Sequence, residues 1–89
     1  MRFDQKIMNY VMGEITFKRL DNCRKVIEKQ ANDFGGFTVL QVITLKSMLK
    51  TLRRRIVENE EFNPPLKEHL LYRFDYLFAD IMGYESNKK

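Results

Sequence analysis

The sequence predicts an all-α protein: a small three-helix bundle with a long central helix and a short additional helix at the N-terminus. Val42, Leu45, Leu49, Leu52 and Ile56 recur at alternating steps of three and four, which places them on one helical stripe. Helix-boundary chemistry brackets the apolar stretches: Gly35-Gly36, Thr38 with Gln41 three residues on, and Asn63-Pro64. No stretch reads convincingly as a strand, and there are no repeats or low-complexity tracts.

The first helix spans Asp4 to Met12, with Asp4 as its cap. Phe3, Ile7, Tyr10 and Val11 share a face, and Gly13 marks either a break or a kink. The second spans Thr16 to Asn32. Leu20, Cys23, Ile27 and Ala31 form its stripe, extended by Phe34 and flanked by Val26. Asp21–Lys25 and Arg24–Glu28 are spaced as i,i+4 ion pairs on its solvent side. Asp33-Phe34-Gly35-Gly36 stops it, and the short connection makes the next helix antiparallel to it.

The central helix runs from Val39 to Glu61, about 35 Å at the usual rise per residue. Thr38 and Gln41 form a capping box, and Phe37 and Val42 a hydrophobic staple. Asn63-Pro64-Pro65 ends it, because a residue before proline is driven out of the α region. Asn63 then caps the last helix, in which Leu66, Leu70, Phe74, Leu77, Phe78 and Ile81 make a wide apolar face and Gly83 is the stop. Tyr84 to Lys89 reads as a frayed polar tail.

Eighty-nine residues suit one domain, 1–89, whose stability as a monomer is marginal, so a homo-oligomer is an open expectation. The lone cysteine, Cys23, excludes an internal disulfide and fits a reducing compartment. Met1 to Lys6 carries an acid and no apolar run, unlike a secretory signal, and no run is long enough to cross a membrane. These features point to the cytoplasm. Only two alanines occur, against abundant Lys, Asn, Ile, Phe and Tyr, which AT-rich codons favour. A phage or mobile element is one such source and an AT-rich bacterium another.

Charge is uneven. Residues 38–57 carry five cations (Lys46, Lys50, Arg53, Arg54, Arg55) and no acid, whereas 58–89 carry four cations against seven acids. Lys46, Lys50, Arg53 and Arg54 fall within about 100° of helical arc, and Arg55 points away. Such a face suits phosphate groups in RNA, DNA or a nucleotide. It equally suits a solvated surface whose cations complement the helix dipole, with Arg54 and Arg55 pairing locally with Glu58, Glu60 and Glu61. Tyr72 and Tyr76 leave the core face of the last helix. They are either stacking residues for bases or caps on the core edge with the hydroxyl in water. Val39, Leu40, Val42 and Ile43 point to nearly all sides, so this turn is buried within the chain or covered by a partner.

No catalytic or metal signature stands out, and no cofactor is implied. Cys23 lies in an apolar stripe, His69 is the only histidine, and Gly35-Gly36 lacks the Lys-Ser/Thr of a phosphate loop. A DNA-reading helix–turn–helix is disfavoured, because the helix after Gly35-Gly36 begins with apolar residues rather than polar base-readers. The leading expectation is a small non-enzymatic regulatory protein, oligomeric, binding an anionic partner (RNA, DNA, a nucleotide or an acidic protein surface) through Lys46, Lys50, Arg53 and Arg54. The alternative is an adaptor or inhibitor that binds protein through Ile7, Tyr10, Val39, Leu40 and Ile43.

Overall fold

The computed structural model describes residues 3–83, with side chains from Gln5 onward. The side chains of Phe3 and Asp4 and the tail 84–89 lie outside the described residues. Asp4 is not the expected cap, because the helix already includes Phe3 and so places Asp4 within its first turn. Four helices follow in order: α1 (Phe3–Met12), α2 (Phe17–Phe34), α3 (Val39–Glu58) and α4 (Pro64–Met82), with no strand among the described residues.

Local chemistry sets most boundaries. Thr16 accepts the Arg19 N–H at 3.1 Å, and Asn63 accepts the Leu66 N–H at 2.9 Å with prolines in the first turn. Thr38 and Gln41 complete the capping box: the Gln41 N–H donates to Thr38 Oγ1, and the Thr38 N–H to Gln41 Oε1. At the end of α2, Gly35 takes φ of 72°, a left-handed geometry that favours glycine, and Gly36 N–H donates to the Ala31 carbonyl. The chain breaks rather than kinks at Gly13, where a Cβ would sit 2.9 Å from the Asn9 carbonyl oxygen and 2.6 Å from Arg19 Nη2. Some boundaries differ from expectation: α2 runs on to Phe34, two residues past Asn32, because the left-handed turn comes only at Gly35, and α3 stops at Glu58, before Glu61. The Asn59 carboxamide oxygen accepts from the Glu61 and Phe62 N–H groups, a turn that competes successfully with a further helical turn.

The helices pack in a closed ring. α1 touches α2 and α3, and α4 touches α2 and α3. Consecutive α2 and α3 are therefore diagonal rather than neighbours, because α1 and α4 lie between them. The core gathers Ile7 and Val11 from α1, Leu20, Cys23 and Ile27 from α2, and Leu45, Met48, Leu49, Leu52 and Ile56 from α3. Leu70, Phe74 and Phe78 complete it from α4, the two rings 4.8 Å apart. On α2 the buried stripe continues to Gln30, while Ala31 is only half-buried and Phe34 is exposed. Of the two spaced pairs on α2, Arg24–Glu28 forms at 2.9 Å. Asp21 instead meets Arg73 of α4 at 3.0 Å, because that helix packs against α2 there.

Helix C-termini receive basic side chains from other elements. Arg55 of α3 donates to the Val11 and Gly13 carbonyls at 2.6 and 2.9 Å, and Arg19 to the Asn9 carbonyl at 3.1 Å. Arg24 donates to the Leu77 carbonyl at 2.7 Å, and Lys67 to the Val57 carbonyl at 2.9 Å. Arg55, Arg19 and Lys67 reach carbonyls in or just past the last turn of a helix, where the ladder leaves acceptors open and the dipole is negative, whereas Arg24 adds a second donor to a carbonyl one turn further in. Much of the basic character is thus structural. No described helix is long and apolar enough to cross a membrane.

Candidate docking face on the third helix

With Leu45, Leu49, Leu52 and Ile56 turned inward, the opposite side of α3 carries Leu40, Ile43, Ser47, Lys50, Arg54 and Val57. These also recur at steps of three and four, so they form a second continuous stripe. Its apolar members are open to solvent: Leu40 is 72% exposed, Ile43 57% and Val57 43%. Val39, at the edge of the same first turn, is 78% exposed. Of Val39, Leu40, Val42 and Ile43 only Val42 leans inward, so the described residues leave Val39, Leu40 and Ile43 uncovered. The capping box fixes the backbone that presents them.

The four cations expected on one basic face divide. Arg53 is turned to Asp75 of α4, its Nε and Nη2 donating to the two carboxylate oxygens at 3.0 and 3.2 Å. Lys46, Lys50 and Arg54 make no ion pair or hydrogen bond with another described residue. Arg55 lies on the far flank holding the end of α1, rather than pairing with Glu58, Glu60 or Glu61. Tyr72 and Tyr76 are largely exposed. Arg73 lies 5.5 Å from the Tyr76 ring centre, and Tyr72 sits one helical turn from the Asp75–Arg53 pair.

Two expected anchors are corrected. Ile7 is fully buried, because α1 packs against both α2 and α3 and turns this side chain between them. Tyr10 is half-buried beneath the Arg19 guanidinium, 4.8 Å from its ring centre. Val57 was absent from the expected anchors. Its signal was present in the three-four spacing from Leu40, masked because the stripe mixes apolar, polar and basic residues.

Other chemistry-bearing groups lie elsewhere. Burial pushes the Cys23 thiol up to about 12, against a smaller opposing effect of Arg19, so the thiol stays protonated at neutral pH. His69 is exposed on α4, and no cluster of three or more metal-ligating side chains occurs among the described residues. A cleft of about 420 Å³ opens between α2, α3 and the end of α4, floored by Ile27, Ala31, Phe37, Val42, Leu45 and Ile81. At its rim Arg24 binds Asp80 at 2.9 Å, and that hydrogen bond holds the Asp80 carboxyl below its ordinary range. Neither a protein-family model, a curated protein nor a solved structure matches this chain significantly.

Proposed function

We propose that the protein is a small non-enzymatic binding protein that engages an anionic partner through the outward face of α3. The observation that carries this reading is the pair Lys50 and Arg54, exposed on that face and unpaired among the described residues, with Lys46, likewise unpaired, on its flank at the rim of the cleft, and no acid between residues 38 and 57. Neighbouring arginines have structural partners, whereas these three do not. Exposed cations interact through water, so their attraction for a partner weakens as salt screens it.

The test compares two double charge reversals of equal net change. Lys50→Glu with Arg54→Glu alters the face; Lys18→Glu with Lys25→Glu alters exposed cations of α2. Binding of a labelled acidic peptide and of a labelled single-stranded oligonucleotide is followed by fluorescence anisotropy. The α3 reversal is expected to weaken at least one probe by about tenfold or more, near 1.4 kcal/mol, and the α2 reversal far less. Equal losses from both variants would reduce the effect to net charge and end the reading.

A further inference from the structure

We infer that the anionic partner is a protein, and that it lays an acidic amphipathic helix along the Leu40–Val57 stripe of α3. This rests on the anion-binding reading of that face. The stripe is apolar at one end (Leu40, Ile43), polar and basic through its middle (Ser47, Lys50, Arg54), and apolar again at Val57. It runs for about 26 Å, five turns of straight helix, a length suited to a helical ligand.

The complement of this pattern is a helix with apolar anchors at its ends and carboxylates over Lys50 and Arg54. Asp75, on the flank toward α4, is neutralised by Arg53, so it does not repel such a ligand. A phosphate backbone fits less well. It offers the cations their counter-charge, but it gives Leu40, Ile43 and Val57 no apolar surface in exchange for lost water. A second copy of the chain fits less well again. Antiparallel pairing of two stripes sets Ile43 against Arg54 and Ser47 against Lys50, and parallel pairing sets each cation on itself. Either arrangement gathers four cations from Lys50 and Arg54 with no acid from 38–57 to offset them.

The test uses a labelled three-heptad peptide with leucine at its core positions and glutamate beside them, its lysine counterpart, and a single-stranded oligonucleotide. Each is titrated by anisotropy into the wild-type chain, Leu40→Asp, and the Lys50→Glu/Arg54→Glu variant, with circular dichroism confirming that these surface changes leave the fold intact. The acidic peptide is expected to bind at least about tenfold more tightly than the lysine peptide. Leu40→Asp is expected to remove most of that binding, and the double reversal to invert the preference between the peptides. Tighter binding of the oligonucleotide, insensitive to Leu40→Asp, would overturn the helical partner while leaving the anion-binding face intact. A dimer in sedimentation velocity that Leu40→Asp dissociates would assign the stripe to a second copy and overturn the inference. If neither the acidic peptide nor the oligonucleotide binds better than the lysine peptide, both readings fall.

Discussion

Gln30 is 4% exposed, and neither end of its carboxamide has a hydrogen-bond partner among the described residues. It occupies the position at which the α2 stripe of Leu20, Cys23 and Ile27 next turns inward. A buried amide without partners costs the free energy of its lost hydration, so Gln30→Leu is expected to stabilise the fold by about 1–3 kcal/mol. The urea midpoint should rise with an unchanged slope; a lower midpoint would mean that a buried water serves the amide. Polarity hid this residue, since Ala31 is the apolar choice one position on and reads as the core member. Arg53 was hidden differently. It shares a helical arc with Lys46, Lys50 and Arg54, but its carboxylate partner Asp75 lies on another helix, and only the packing of α3 on α4 brings them together.

The legible elements are those whose ends depend on neighbours three or four residues away. Thr16, Thr38 with Gln41, Gly35 and Asn63 all stand at boundaries readable from the chain, because a cap is a short-range hydrogen bond. The stop at Asn59 was less legible, since the prolines beyond it are the stronger punctuation. Cations reaching across to other helices were not legible at all: nothing local to Arg55 reveals that it serves Val11 and Gly13, more than forty residues upstream. Arg55→Met keeps most of the side-chain stem and deletes both donors. A loss of about 1–3 kcal/mol is expected, visible as a lower melting temperature, because two carbonyls at the end of α1 lose a charged donor. An unchanged melt would show that water replaces the guanidinium without penalty.

At the scale of the whole molecule, the all-α class and the inward stripe of α3 were written in the sequence, since periodicity encodes which side of a helix is buried. Which helices neighbour one another was not: the connection between α2 and α3 suggests a hairpin, yet α1 and α4 separate them. The core converges on α3, with Leu49 fully buried among residues of all four helices. Leu49→Asp would strand a charge there at a cost of several kcal/mol, of the order of the whole stability of a domain this size. Loss of the cooperative thermal transition is expected; a cooperative, folded variant would mean that the inward stripe is wrongly assigned.

The placement of Arg19 and Arg55 also bears on how the chain acquires this shape. α2 has its own devices at both ends, Thr16 and Gly35-Gly36, whereas the last carbonyls of α1 are held by side chains belonging to α2 and α3. Ten residues are too few to hold a helix in water by themselves. α1 is therefore helical because it is docked, and its order is conferred by its neighbours. In a nascent or denatured chain, residual helicity should reside in α2 before α1. Detachment of α1 would uncover the apolar flanks of α2 and α3 that Ile7 and Val11 now cover.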